Sequence, residues 1–208
     1  MNKSSKILLI VLGSLAAVFL LLAIIIFSSI KSTYNGAMER QENVKNQWAN
    51  VETAYQRRMD LIPNLVNTVK GYASHEKETL QAVTEARAKA RQTTIDANNL
   101  DAEALKKFQA AQSGLSSALS RLMMVQERYP DLKANQNFLA LQSQLEGTEN
   151  RISVARTRFN EAVKQYNIFI RGFFRRMIIS MFYSDEFERL EPFKAQKGAE
   201  KAPEVKFD

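Results

Sequence analysis

Residues 44–72 read VKNQWANVETAYQRRMDLIPNLVNTVKGY. Val44, Trp48, Val51, Tyr55 and Met59 recur in steps of three or four, the spacing that aligns side chains on one face of an α-helix. The face reaches back to Ala37, so the first helical stretch runs from Thr33 to about Met59. Asp60-Leu-Ile-Pro63 then interrupts it. Pro63 has no N–H to donate and disfavours helical geometry at Ile62, while Asp60 suits the cap of a new helix with Pro63 in its first turn. A chain reversal is predicted there; the alternative is one long helix kinked at Pro63. A second stripe follows through Leu65, Val69, Tyr72, Glu76, Leu80, Val83, Arg87 and Ala90.

Downstream, the polar stretch 92–101 (QTTIDANNLD) reads as a loop. Asp101 can cap a third helix, with Glu103 in its first turn where a carboxylate suits the helix dipole. Its stripe is Leu105, Phe108, Leu115, Leu119, Leu122 and Val125, and Tyr129-Pro130 closes it. A fourth stretch from about Asn135 to Arg171 carries Phe138, Leu141, Leu145, Ile152, Phe159, Val163, Tyr166 and Ile170. Single-striped helices of this kind are marginal alone in water and bury their stripes together. The expected fold is all-α: an elongated antiparallel four-helix bundle over 31–172, a rod with helices ~40–55 Å long at ~1.5 Å per residue.

Upstream, residues 7–30 (ILLIVLGSLAAVFLLLAIIIFSSI) contain no charge. About 20 apolar residues cross a bilayer, so this run suffices as a transmembrane anchor after a short flank, 1–6. A cleaved signal peptide is the rival. Its apolar core should run only ~7–15 residues and end in a small-x-small site, whereas this run is too long and reaches Ile24-Ile-Ile-Phe27 before the weak Ser28-Ser29. Lys3 and Lys6 on one side balance Lys31, Arg40 and Lys45 on the other, so the charges assign no side to the body of a single-pass cell-membrane protein.

Composition narrows the chemistry. The 208 residues hold 29 Lys plus Arg, 22 Asp plus Glu (net +7), one His and no Cys. Without cysteine there is no disulfide framework and no thiol nucleophile. The di-metal pattern of helical bundles needs Glu-x-x-His, but three residues before the lone His75 stands Tyr72. No phosphate loop, nucleophile elbow or dinucleotide fingerprint occurs. The basic residues are interleaved with acids, which marks solvated helix faces rather than a nucleic-acid surface. Neither an enzyme nor a cofactor is expected.

Several charges nevertheless fall on or beside the apolar stripes: Arg57, Arg58, Asp60, Glu76, Arg87, Glu149 and Arg156. Buried charges must be paired, so these residues are expected to form an interhelical polar network that fixes register. The competing reading is a ligand-binding or enzymatic pocket at Arg57, Arg58, Asp60, Glu76 and Glu149. After Arg171, residues 173–190 hold an apolar-basic segment too short to span a bilayer. Phe173, Phe174, Arg175, Arg176, Met177, Ile178, Met181 and Phe182 are its candidate membrane or partner contacts. In an up-down-up-down bundle the fourth helix returns toward the anchor, which would put this segment at the headgroups as an interfacial helix. Packing on the bundle or self-association is the alternative. A tail, 191–208, completes the chain.

The same residues resemble the LemA family of bacterial membrane proteins. The resemblance runs through Tyr34-Asn35, Trp48, RR-x-DLIPNL (57–65), Val69-Lys-Gly-Tyr72, His75-Glu76, Ala86-Arg87, the YPDLKAN string (129–135) and Leu141-Gln142. It continues through Glu149-Asn-Arg-Ile152, Ala155-Arg156, Tyr166-Asn167, Pro192-Phe193, 199–203 and 205–207. Members typically place Phe-Pro after the Tyr-Asn segment. Here Phe173-Phe174 precedes two arginines, so the fourth helix is expected to run on toward Met181. The resemblance implies an anchor followed by a long helical bundle, and supplies no catalytic residues. With relatives linked to bacterial envelope and magnetosome membranes, it implies a scaffold or adaptor with the lipid bilayer and a protein as partners. Membrane remodelling through 173–190 is the third reading.

Overall fold

The computed structural model describes residues 3–98 and 100–194. Among them regular structure is entirely helical. The helices are α1 (Lys3–Tyr72), α2 (Lys77–Gln92), α3 (Ala102–Met124), α4 (Pro130–Lys133), α5 (Gln136–Arg171) and α6 (Phe173–Phe182), with a 3-10 turn at Val125–Arg128. Of these only α1 is long and apolar enough to cross a membrane. Its side chains from 10 to 29 are all exposed, with Ile10, Phe19 and Phe27 each about 70% so. The side chains of Lys3 and Lys6, and the tail motifs at 199–203 and 205–207, lie outside the described residues.

The predicted reversal at Pro63 does not occur: α1 continues through it to Tyr72. Proline inside a helix costs about 3 kcal/mol. Met59, Ile62, Leu65 and Val69 are all buried on the face it would disrupt. Each such side chain gives ~1.5–3 kcal/mol on burial, so continuity wins. The local defect is also repaired. Pro63 leaves the Met59 carbonyl without its donor four residues on, and Arg87 Nε of α2 donates to that oxygen at 2.9 Å. Asp60 caps nothing; it is exposed and accepts from Gln56 Nε2 at 2.7 Å. The turn comes later, at 73–76, closed by Glu76 N–H donating to Ala73 O.

This pairing carries a prediction. Replacing Arg87 with leucine should cost ~1–3 kcal/mol, the penalty of a buried carbonyl left unsatisfied. In a Pro63→Ala chain the restored N–H serves Met59, so the same Arg87→Leu change should cost less. A double-mutant cycle of detergent-solubilised protein, unfolded in urea, measures the coupling. Additive losses would disprove the repair.

The loop at 92–101 and the Asp101 cap form as read, with Asp101 Oδ1 accepting from Ala104 N–H at 2.6 Å. Helix α3 ends at Met124, a turn before Tyr129-Pro130, and Pro130 opens the single-turn α4. Asn135 begins α5, its Oδ1 accepting from Phe138 N–H at 3.0 Å.

Two compact units make up the described chain. The larger comprises 43–164 and 190–194, so the first residues of the expected tail belong to a folded body. One part of its core joins Met59, Ile62, Leu65 and Val69 of α1 to Leu80 and Val83 of α2. Leu115, Leu119 and Leu122 of α3, Leu132 of α4, and Phe138 and Leu145 of α5 complete that part. Another part is aromatic. Trp48, fully buried, makes edge contacts with Phe108 and Phe159 and stacks on Phe193 at 6.0 Å between centroids.

The smaller unit comprises 3–42 and 165–189. Its fixed points on α1 are Tyr34, Gly36 and Arg40. Tyr34 packs on Tyr183 and Phe187 and donates its phenol to Glu186 Oε1 at 3.0 Å. Phe169 sits so close to Gly36 that a Cβ there would meet its ring at 2.5 Å. The guanidiniums of Arg40 and Arg175 both lie over that ring, 4.1 and 4.2 Å from its centroid. Tyr166, fully buried, donates to Glu188 O at 3.0 Å, and its pKa is pushed up to about 12 by burial and then by Glu188.

The expected continuation of α5 toward Met181 is also corrected. Gly172 takes an extended conformation (φ −56°, ψ 137°) that breaks the helix, and α6 begins afresh at Phe173. It ends at Phe182 rather than reaching 190. Tyr183 follows it, packed on Tyr34, and cannot continue the helix with ψ 32° and φ −144°.

Candidate functional site

The seven charges picked from the stripes do not meet at one place. Arg58, 1% exposed, is the most enclosed of them. It projects from the buried face of α1, one residue from Met59. Its Nη1 donates to Glu149 Oε1 of α5 at 2.8 Å and to Ser116 Oγ of α3 at 2.9 Å. Its Nη2 donates to the Gln112 side-chain oxygen, and more distantly to the Gln112 carbonyl at 3.4 Å. Three helices therefore meet on one guanidinium. Its planar fork lets each edge serve a different partner, which a lysine cannot do. Glu149 keeps half its side chain in solvent, so it neutralises the buried cation without itself being fully desolvated.

Glu76 forms a separate constellation at the other end of this unit's core. Its carboxylate accepts from Arg128 Nη2 at 2.9 Å and from the Tyr129 hydroxyl at 3.2 Å. Beside it, Asn135 Nδ2 donates to the Tyr72 hydroxyl at 2.8 Å. These contacts tie the 73–76 turn to the α3–α5 connection. Arg87 is committed to the Met59 carbonyl, as above. Arg57 and Asp60 are exposed, and His75 is exposed as well.

Arg156 lies over the Phe193 ring, 4.7 Å from its centroid, and donates to the Lys194 carbonyl at 3.3 Å. Asn160, one turn on, clamps the same segment from both sides. Its Oδ1 accepts from Phe193 N–H at 2.8 Å and its Nδ2 donates to the Phe193 carbonyl at 3.2 Å. Gln109 of α3 adds a bond to Lys194 O at 3.2 Å. Asn160, Gln109 and Phe193 escape a reading of the stripes. The one signal for them is an aromatic after proline, Pro192-Phe193, within a polar tail.

Two open clefts share Tyr55 and Gln112 in their linings, and one of them reaches Arg58. One, of about 540 Å³, is lined by Tyr55, Arg58, Ser116, Glu149 and Arg156 among others. Burial raises the Tyr55 pKa there, with the guanidiniums of Arg156 and Arg58 opposing. The other, of about 630 Å³, includes Glu52, Arg57, Asp60 and Arg91. Burial raises the Glu52 carboxyl, partly offset by the Trp48 indole. Neither cleft presents the nucleophile, base and orienting group of a catalytic constellation.

The apolar-basic candidates all lie on α6, in the smaller unit. Phe173, Phe174, Met177, Met181 and Phe182 are 52–81% exposed, and Ile178 is partly so. Arg175 and Arg176 are also exposed, although Arg175 leans on Phe169. On this helix the side chain that packs inward is Ile179, 7% exposed.

The chain is similar to LemA and MamQ proteins. The chain is 25% identical over 165 residues to a LemA protein of Metamycoplasma hominis, covering 76% of this chain and 72% of that one. It is 25% identical over 171 residues to the magnetosome protein MamQ of Magnetospirillum gryphiswaldense, covering 74% of this chain but only 63% of MamQ. A MamQ 2 of Paramagnetospirillum magneticum matches at the same level. A family model spans residues 47–207, from just before Trp48 to beyond Phe193, and by that match the chain belongs to the LemA family.

Proposed function

We propose that this protein is a single-pass, membrane-anchored scaffold of the bacterial cell envelope. In this reading the helices after the anchor form a four-helix bundle that holds a protein partner near the bilayer. The observation that carries it is the use made of the inward charges. Arg58, Glu76, Arg87 and Arg156 each spend their hydrogen bonds on register contacts within one unit. Side chains engaged in this way are poorly suited to accept or release protons during a reaction.

A ligand-binding reading is favoured by one detail: Arg58 Nε and Gln112 Nε2 are buried donors without a protein acceptor. A small carboxylate entering the 540 Å³ cleft would supply one.

Photo-crosslinking in cells tests the scaffold directly. Leu139, Val154 and Met124 are apolar yet 42, 44 and 62% exposed, and therefore suit a photoreactive replacement. The expected result is a discrete adduct of constant mass from at least one of these positions. Recovery of uncrosslinked monomer alone from all three would refute a partner-holding role.

A further inference from the structure

We propose that α6 is an interfacial helix that seats on the leaflet from which α1 emerges and takes anionic lipid headgroups through its arginines. The inference extends the scaffold reading and rests on α1 spanning a bilayer. Its first support is the distribution of side chains around α6. At 100° per residue, Phe173, Met177, Met181, Phe174, Ile178 and Phe182 fall in that order across one continuous half of the helix. The buried Ile179 lies on the opposite half, with Arg175 and Arg176 on either side of it. A ten-residue helix in water would be expected to turn such a face inward. Here the whole apolar half faces away from the body that Ile179 packs against. An apolar arc bordered by arginines is the side-chain pattern of a helix lying in a membrane surface.

Position is the second support, and it comes from contacts within the smaller unit. The apolar run of α1 ends at Ile30. Tyr34 and Gly36 stand four and six residues beyond it, ~6 and ~9 Å along the axis at ~1.5 Å per residue. Tyr183, immediately after α6, packs on Tyr34. Arg175, in the first turn of α6, packs on Phe169, which in turn touches Gly36. The two ends of α6 are thus tied to levels on α1 only ~3 Å apart, whereas lying alongside α1 would separate them by ~15 Å. Hence α6 is held next to the first turns of α1 beyond the anchor. The hydrocarbon core is ~30 Å thick within a bilayer of ~40–45 Å, which leaves a headgroup layer of ~5–7.5 Å on each side, so the level of Tyr34 falls within the headgroups and that of Gly36 at their outer edge.

Charge supplies the third support. Arg171, Arg175 and Arg176 gather within six residues at this level, with no acidic residue between Lys164 and Asp185. A lipid surface satisfies both the apolar arc and this cationic border. A second copy of the chain would bring the same three arginines against its partner's.

The absence of native cysteine makes the test clean. Full-length protein carrying a single fluorescent label at Phe174→Cys or Met181→Cys is placed in phosphatidylcholine vesicles with or without phosphatidylglycerol. Quenching by spin-labelled lipid is compared with quenching by aqueous iodide. Leu20→Cys reports the anchor and Ser117→Cys, on exposed α3 surface, reports water.

The expected result is lipid quenching at 174 and 181 approaching that at Leu20→Cys and stronger when phosphatidylglycerol is present. Arg171→Gln and Arg176→Gln together should then weaken docking. The expected loss is about fivefold per arginine, equivalent to ~1 kcal/mol each at an anionic surface. Iodide quenching at 174 and 181 equal to that at Ser117→Cys, with Leu20→Cys still lipid-quenched, would overturn the interfacial helix alone. Labels shielded from both quenchers would mean a protein covers α6, which also overturns it. Failure of lipid to quench Leu20→Cys would overturn the anchor and this inference with it.

Discussion

Trp48→Ala is expected to lower the unfolding free energy by ~3–5 kcal/mol, the range for deleting a fully buried large aromatic. Trp48 is 0% exposed, and its ring meets Phe108 of α3, Phe159 of α5 and Phe193 of the C-terminal segment at centroid distances of 5.3, 5.5 and 6.0 Å. Alanine leaves a cavity that none of those rings can fill without abandoning another, because Phe159 and Phe193 also pack on each other. Trp48→Phe keeps an aromatic centre and should lose much less. Urea unfolding of the full chain in mild detergent, followed by helical circular dichroism, measures both. The chain has one tryptophan, so fluorescence reports this cluster alone. Phe193→Ala should therefore shift Trp48 emission to the red and open it to acrylamide. Unchanged emission would show that residues 191–194 do not cover Trp48.

The features legible in the sequence are those whose cause is local. Asp101 caps α3 through a contact three residues away, and α5 runs nearly as its stripe predicts because each step adds one more buried side chain. The outcome at Pro63 is not legible locally because its remedy, Arg87, is 24 residues distant, and no local rule reveals a donor supplied by another helix. Gly172 shows the opposite error. With the family's Phe-Pro absent the sequence predicts a continuous helix, but a glycine adopts the extended break unaided. Arg57 and Arg58 are adjacent, and only packing decides which one enters the core. A helical stripe read to within one residue cannot choose between them. Phe193 carried no periodic signal, because an aromatic held by Asn160 and Arg156 uses side-chain clamps rather than a helix face.

Arg58→Ala is expected to cost about 3 kcal/mol, the low end of ~3–5 for breaking a buried ion pair. The low end applies because Glu149 is half exposed and rehydrates once its partner leaves. The loss is felt instead at Gln112, 3% exposed, whose side-chain oxygen then faces no donor. Arg58→Met fills the volume but still strands Gln112, so it should recover only part of the loss. Glu149→Ala creates a worse defect: the guanidinium stays buried with only neutral partners, Gln112 and Ser116, and no counter-charge, at a cost of ~3–5 kcal/mol. Glu149→Gln retains an acceptor and should lose less than Glu149→Ala. The predicted order of damage places Glu149→Ala above both Arg58→Ala and Glu149→Gln, and the Arg58/Glu149 double mutant should lose less than the sum of the singles. The same series separates scaffold from ligand site. If Arg58 serves register, crosslinking at Leu139 or Val154 falls in proportion to lost stability, and added small carboxylates leave the unfolding midpoint unchanged. If it serves a ligand, such a carboxylate raises the midpoint of the wild-type chain, and Arg58→Met abolishes that rise while leaving a folded protein.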